Sequence, residues 1–185
     1  MKQKHPHWLK NGLTRVAKIH FLIAVFYIYQ IIAYDAAKLI TPEVLLKRWV
    51  AIGLLTTVAV FVWYLARSKA TTLGHYKQLA WILILSDIAF AAFNIYSQRG
   101  MSSRAVALFF IPIIISTILM SRVAVFATAI LSAIAYSTSA VAYFVLNFNE
   151  GYKIELWGEV LFYSGMFIVA AMLLWSLVKT KHSNT

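Results

Sequence analysis

The sequence predicts an all-α, polytopic membrane protein: a bundle of six transmembrane helices with both termini in the cytoplasm. Three observations predict this fold. The chain of 185 residues is 62% hydrophobic and 12% charged. A water-soluble fold of this length could not cover that much apolar surface. Its apolar residues fall into runs of about 20, the length of a membrane-spanning helix. Its basic residues, which give a net charge of +11, lie mainly between those runs.

The apolar runs divide the chain into a basic flank, a membrane domain over residues 19–178 and a short tail. Residues 1–18 form a cytoplasmic flank without an acidic residue, in which Pro6 and Gly12 are expected to interrupt any long helix. Residues 179–185 form a cytoplasmic tail. The predicted spans are 19–37, 49–66, 79–97, 105–120, 123–146 and 157–178.

The segments between spans contain residues that end helices. Thr41-Pro42-Glu43 precedes span two, and a Glu150-Gly151 turn precedes span six. Only Ser121-Arg122 separates spans four and five, which predicts a tight helical hairpin.

The distribution of Lys and Arg predicts the orientation. If the N-terminus is inside, the inner segments hold eleven of the 17 basic residues and the outer segments hold six. Cytoplasmic segments carry the excess of Lys and Arg, so both termini are expected in the cytoplasm. Because the basic residues lie at span ends, where they meet lipid head groups, the charge does not indicate nucleic-acid binding.

Span three carries Asp87 near its middle. An ionised carboxylate at the bilayer centre costs several kcal/mol, so Asp87 is expected to face the protein interior, to have partners or to be protonated. Asn94 lies seven residues further on the same helix face, and Gln98 extends that face by one turn. This polar face is the first candidate ligand-binding site.

Span five carries hydroxyl groups on one face. They could hydrogen-bond Asp87 across the bundle, and Ser132 or Tyr136 is the expected partner. The alternative is that these residues only pack helices together, because small polar residues are common at membrane helix contacts. The stripe consists of Thr128, Ser132, Tyr136, Ser139 and Tyr143.

Span one carries His20, Tyr27 and Tyr34 at intervals of seven residues. This face, with Tyr27 as the candidate contact, could stack on a planar ligand such as a quinone, although aromatic stripes in membrane helices more often serve packing. The other histidines lie in flanks and loops, which argues against haem held between two histidines. His5-Pro6-His7 could bind a divalent metal weakly, but a solvated tail is the preferred interpretation, so no metal site is predicted.

The turn between spans three and four is a second candidate site. Its residues could face acidic side chains between spans five and six and close over a ligand, whereas the alternative is that all these charges are solvated. The turn residues are Arg99, Gly100, Ser103 and Arg104, and the acidic residues are Glu150, Glu155 and Glu159.

No catalytic signature is present in the sequence. It has no cysteine, no glycine-rich phosphate loop, no nucleophile elbow and no pair of histidine or glutamate residues at metal-binding spacing within one predicted span. An enzyme is therefore not expected.

The segment DIAFAAFNIYSQRGMSSRAVALFFIP resembles the six-transmembrane N-terminal sensor domain of bacterial histidine kinases of the redox-responsive type. The family pattern has an aspartate in span three, a tyrosine nine residues later, a Gly-Gly turn, a small polar residue and a proline inside span four. Arg99 and Arg104 stand where the family has a glycine and a proline, so the outer turn differs. The matching residues are Asp87, Tyr96, Gly100, Ser103 and Pro112, with Arg48-Trp49 at the start of span two.

This resemblance implies a multi-pass protein of the bacterial plasma (inner) membrane. In the family, span six continues into a helix pair with a phospho-accepting histidine and then an ATP-binding domain. Here Val178 is followed only by KTKHSNT, so the family's helix pair is not present around His182. The chain is expected to be either a sensor cut from a longer protein or a sensor without a kinase that acts by binding a partner.

The expected function is a membrane sensory or ligand-binding module, a homodimer or the companion of a separate membrane or cytoplasmic signalling protein, that signals through shifts of span six. Its ligand is expected to be apolar or redox-active. Two alternatives stay open: a small proton-coupled transporter that uses Asp87, and a structural subunit of a membrane complex.

Overall fold

The structure, a computed structural model, describes residues 7–68, 72–98, 103–147 and 153–183. Throughout these residues the chain is helical apart from short linkers, which confirms the predicted all-α class. Two 3-10 segments, Arg104–Phe109 and Thr117–Leu119, flank the short fourth helix. The α-helices are α1 (His7–Ala36), α2 (Pro42–Arg67), α3 (Leu73–Ser97), α4 (Phe110–Ser116), α5 (Arg122–Asn147) and α6 (Lys153–Ser183).

Within the described ranges, five helices are long and apolar enough to cross a bilayer: α1, α2, α3, α5 and α6. Together with the composition, these helices indicate a multi-pass membrane protein. The remaining apolar segment, Arg104–Leu119, is shorter than these five helices. The fourth predicted span therefore differs from the others in length.

Helix α1 begins inside the predicted basic flank. It runs from His7 through Gly12 without a break, so the predicted interruption at Gly12 is wrong. A glycine inside a helix costs about 1 kcal/mol relative to alanine. Leu9 and Leu13, on either side of Gly12, are completely buried. Burial of two leucine side chains stabilises by several times the cost of the glycine, which explains why the helix continues.

The fourth predicted span is not one regular helix. Pro112 lies in the first turn of α4, and in an α-helix its ring would clash with the carbonyl of Leu108. The chain from Arg104 to Phe109 is 3-10 helical, which accounts for the irregular geometry before the proline. The segment ends at Met120, which has a left-handed backbone with φ of 47°. The direct turn from there into α5 confirms the predicted hairpin, since α4 packs against α5.

The predicted single bundle divides into two compact units, Met1–Ser86 and Asp87–Thr185, with the division inside α3. In the first unit, α1 and α2 pack together as a helical hairpin. Thr41 caps α2 by accepting a hydrogen bond from the Val44 N–H, and Pro42 occupies the first helical position, as expected. The buried seam of α1 is Leu9, Leu13, Ala17, His20, Ala24, Tyr27 and Ile31, and that of α2 is Arg48, Ile52, Leu55, Ala59, Val62 and Ala66.

In the second unit, α5 packs against α6 and α4 contacts both of them. Its core combines aromatic and aliphatic side chains with small residues, which are common at membrane helix contacts. The completely buried residues include Phe109 and Ile113 around α4, Val125, Ala129, Tyr136 and Ala140 on α5, and Phe167 and Ala171 on α6.

Candidate functional site

Helix α3 is the most enclosed of the candidate spans among the described residues. In the 18-residue apolar stretch of α3, 56% of the residues are buried, whereas at most 28% are buried in the corresponding stretch of each other candidate span. Asp87 is 5% exposed and Asn94 is fully buried. The burial cost of a charge predicted an interior position for Asp87, and this position is confirmed.

The amide of Asn94 is satisfied within its own helix. Its Nδ2 donates to the Phe90 carbonyl at 2.8 Å, and its Oδ1 accepts a hydrogen bond from Gln98 Nε2. The predicted polar face from Asn94 to Gln98 therefore exists as a local pair one turn apart. Because these atoms are already bonded, they are not the open part of a ligand site.

The predicted hydrogen bond from Asp87 to Ser132 or Tyr136 is wrong. Ser132 Oγ and Tyr136 Oη are buried and hydrogen-bond to no residue in the part of the chain that the structure describes. Asp87 is not without an interaction, but neither of these hydroxyls supplies it. Helical periodicity found the correct face of α5, yet a shared face does not fix which atoms meet across helices.

The hydroxyl stripe on α5 has a fully buried part and a partly exposed part. Thr128, Ser132 and Tyr136 are fully buried, whereas Ser139 and Tyr143 are half-buried. Thr128 Oγ1 donates to the Ala124 carbonyl at 2.8 Å, which is a local bond of the packing kind. Ser132 and Tyr136 stand apart because their hydroxyls keep unused donor and acceptor capacity.

Aromatic rings surround Tyr136. The centroid of its ring lies 6.0 Å from that of Phe109, 5.5 Å from that of Tyr163 and 6.1 Å from that of Phe167, each nearly perpendicular to it. Phe109 also contacts Phe167, with centroids 5.6 Å apart. The three contacts of Tyr136 are edge-to-face, which is a favoured geometry for aromatic pairs. The Tyr136 ring thus belongs to an aromatic cluster built by the first 3-10 segment, α5 and α6.

We call this group the aromatic hydroxyl site: Ser132, Tyr136, Phe109, Tyr163 and Phe167. Sequence reasoning named its two hydroxyl residues but missed its three other members. Tyr163 and Phe167 lie four residues apart on α6, and this spacing was the available signal. A buried hydroxyl without a partner costs roughly 1–3 kcal/mol, so the site favours a ligand with an apolar ring and a polar group.

Other predicted site residues lie elsewhere. Tyr27 is buried on α1, within Met1–Ser86. Tyr96 is 44% exposed, so it does not share the buried face of Asp87. Nine residues at about 100° each place the two side chains on opposite sides of α3.

The predicted outer turn is only partly described. Arg99, Gly100 and the opposing Glu150 lie outside the described residues. Ser103 is buried, and its Oγ accepts a hydrogen bond from the Ala105 N–H at 3.1 Å, so it caps the 3-10 segment. Arg104 is exposed on the surface.

Of the acidic side chains predicted to face that turn, Glu155 and Glu159 lie among the described residues, and both are exposed. The described residues hold no group of three His, Cys, Asp or Glu side chains that could bind a metal ion. His5 and Pro6 of the weak candidate metal site lie outside the described residues.

Comparison with known proteins adds no relative from which a function could be transferred. No protein-family model matches the chain, and no match is found among the curated proteins or the solved structures.

Proposed function

We propose that the protein is a ligand-binding sensory module of the bacterial inner membrane. The resemblance of Asp87–Pro112 to histidine kinase sensor domains supports this function, and signalling would pass to a partner protein or through a homodimer. The observation that carries the proposal is the aromatic hydroxyl site: the hydroxyls of Ser132 and Tyr136, one turn apart on α5, are buried without partners among the described residues, and the Tyr136 ring contacts three other aromatic rings.

The chemistry of the site supports a planar ligand with a carbonyl or hydroxyl group, such as a quinone. Ser132 and Tyr136 can each donate a hydrogen bond to a carbonyl oxygen. The rings of Phe109 and Phe167 supply apolar surface for the rest of such a molecule. Binding would therefore replace two unsatisfied groups by hydrogen-bonded ones.

Helix α6 is the natural output of this site. Tyr163 and Phe167 belong to α6, which continues to Ser183 in the described chain. A ligand that contacts these rings would bias the position of α6, and a shift of a packed helix is a common signalling movement. This path gives the proposed sensor a direct link from ligand to partner.

A six-span topology with both termini in the cytoplasm is part of the proposal. The fourth segment contains six 3-10, seven α-helical and three 3-10 residues. At about 2.0 Å per 3-10 residue and 1.5 Å per α residue, it reaches about 28 Å, close to the hydrocarbon thickness of about 30 Å. The greater rise of the 3-10 segments supports a bilayer crossing by this short segment.

Thermal unfolding with a soluble quinone tests the proposed site. Decylubiquinone should raise the unfolding temperature of the purified protein, and Tyr136→Phe or Ser132→Ala should weaken quinone affinity about fivefold by removing one hydrogen bond of about 1 kcal/mol. Tyr136→Phe keeps the ring contacts, so its effect reports the hydroxyl alone.

Thr128→Val is the matched control, because the Thr128 hydroxyl is already bonded to Ala124. It should leave the quinone response unchanged. Equal responses in Tyr136→Phe, Ser132→Ala and Thr128→Val would remove the aromatic hydroxyl site as the quinone site.

A further inference from the structure

Arg48 is a buried cation in the α1–α2 hairpin. Its side chain is 5% exposed, and its Nε and Nη1 atoms are enclosed and form no hydrogen bond within the described part of the chain. Every nitrogen of a guanidinium carries N–H donors and no acceptor, so these atoms can be satisfied only by an acceptor. Leaving such a charge enclosed without an acceptor is costly, so Arg48 is a candidate to bind one.

The acidic residues of the first unit do not supply this acceptor. In residues 1–86 the acids are Asp35 and Glu43, and both are exposed. Glu43 forms an ion pair with Lys47 instead. The contact that Arg48 does make is with an aromatic ring, since its guanidinium carbon lies 5.3 Å from the centroid of Tyr34.

Tyr34 offers a second donor beside the guanidinium. Gln30 Nε2 donates a hydrogen bond to Tyr34 Oη at 3.3 Å. That bond uses an acceptor position of the hydroxyl and leaves its own O–H free to donate. Tyr34 is half-buried, so this donor lies at the edge of the enclosed group.

The position of Arg48 along α2 matches the level of lipid phosphates. Arg48 and Arg67 border the uncharged run 49–66, which at 1.5 Å per residue extends about 27 Å, close to the hydrocarbon thickness. The guanidinium at the end of this run therefore lies where head groups begin. Guanidinium groups bind phosphate through paired charge-assisted hydrogen bonds.

We infer that Arg48 and Tyr34 form a binding site for a phosphate oxyanion at the loop end of the α1–α2 hairpin. A phospholipid head group carries this group at the required depth, and inorganic phosphate carries the same group in solution. The site is independent of the aromatic hydroxyl site, which lies in the other compact unit.

Native mass spectrometry of delipidated protein with added dioleoylphosphatidylglycerol tests the site. Arg48→Gln should lower lipid occupancy about tenfold, the effect of losing one charge-assisted hydrogen bond. Lys47→Gln is the matched control, because it removes the same charge at the neighbouring exposed position, and it should retain wild-type occupancy. Equal occupancy in the two variants would overturn the inference.

Tyr34→Phe separates the two donors. It keeps the ring beneath Arg48 and removes only the O–H, so it should give an occupancy between those of the wild type and Arg48→Gln. Wild-type occupancy in Tyr34→Phe would remove Tyr34 from the site.

Wild-type protein alone also tests the inference and identifies the source of the phosphate. Dioleoylphosphatidylglycerol should raise the unfolding temperature, whereas dioleoylglycerol, which has the same chains and no phosphate, should not. Displacement of the phospholipid by millimolar inorganic phosphate would support the oxyanion site with a soluble anion as ligand. An equal response to dioleoylglycerol would overturn it, because the acyl chains would then account for binding.

Discussion

At the scale of single residues, the hydroxyl of Tyr136 is the most informative atom in the second unit. The side chain is fully buried among aromatic rings, yet its Oη has no hydrogen-bond partner among the described residues. Ser132, one turn earlier on α5, is also fully buried, and its Oγ likewise has no hydrogen-bond partner among the described residues. A hydroxyl buried without a partner costs roughly 1–3 kcal/mol, so two such groups on one helix face are the observation on which the proposed ligand site rests.

We expect removal of either hydroxyl to stabilise the ligand-free protein. Tyr136→Phe and Ser132→Ala should each raise the free energy of unfolding by about 1 kcal/mol, because each removes a buried group without a partner. Equilibrium unfolding in mixed detergent micelles measures the change. Thr128→Val should show no such gain, since its hydroxyl is bonded to a carbonyl. A loss of stability in Tyr136→Phe would mean that its hydroxyl is satisfied in the ligand-free protein.

The residue-scale predictions from sequence were right about faces and wrong about partners. The spacing on α5 identified the buried hydroxyl face, and the cost of a membrane carboxylate identified Asp87 as interior. The predicted bond from Asp87 to Ser132 or Tyr136 is absent, because a bond across helices requires a particular rotation and offset of each helix. Local periodicity carries no information on either quantity.

At the scale of elements, the fourth segment departs furthest from the predicted regular helix. Pro112 and the 3-10 geometry before it make the segment irregular, and Met120 ends it with a left-handed backbone. Ser121 then begins the link to α5, and its hydroxyl accepts a hydrogen bond from the Ala124 N–H. A short segment with a fixed turn keeps α4 and α5 together as a hairpin.

The turn at Met120 provides a test at this scale. Its φ of 47° is unfavourable for a residue with a Cβ atom, at a cost of roughly 1 kcal/mol. Met120→Gly should therefore be about 1 kcal/mol more stable than Met120→Ala, although both lose the same side-chain contacts. The difference between their free energies of unfolding measures the cost of the left-handed backbone conformation at position 120. Equal stability of the two variants would mean that the left-handed turn is not strained.

At the scale of the whole molecule, the topology depends on whether the fourth segment crosses the bilayer. With six crossings the two termini lie on the same side, and with five they lie on opposite sides. The basic residues favour the cytoplasm for the N-terminus. The C-terminus therefore reports the number of crossings.

Reporter fusions measure this directly. Green fluorescent protein fused after Thr185 should fluoresce, and alkaline phosphatase at the same point should be inactive, because both results require a cytoplasmic C-terminus. A fusion after Ser68 is the control, since it is cytoplasmic in either topology with an internal N-terminus. An active phosphatase at Thr185 together with an inactive one at Ser68 would mean that Arg104–Leu119 does not cross.

The sequence by itself determined the membrane class, the apolar part of each of the five long helices and the interior position of Asp87. These properties follow from composition, from hydropathy and from the cost of burying charge, all of which are local to a segment. The tertiary structure decided the division at Ser86 and Asp87, the aromatic rings around Tyr136 and the enclosure of Arg48. These depend on close packing between residues distant in sequence, because only the approach of one helix to another determines which polar atoms find a partner and which remain open to a ligand.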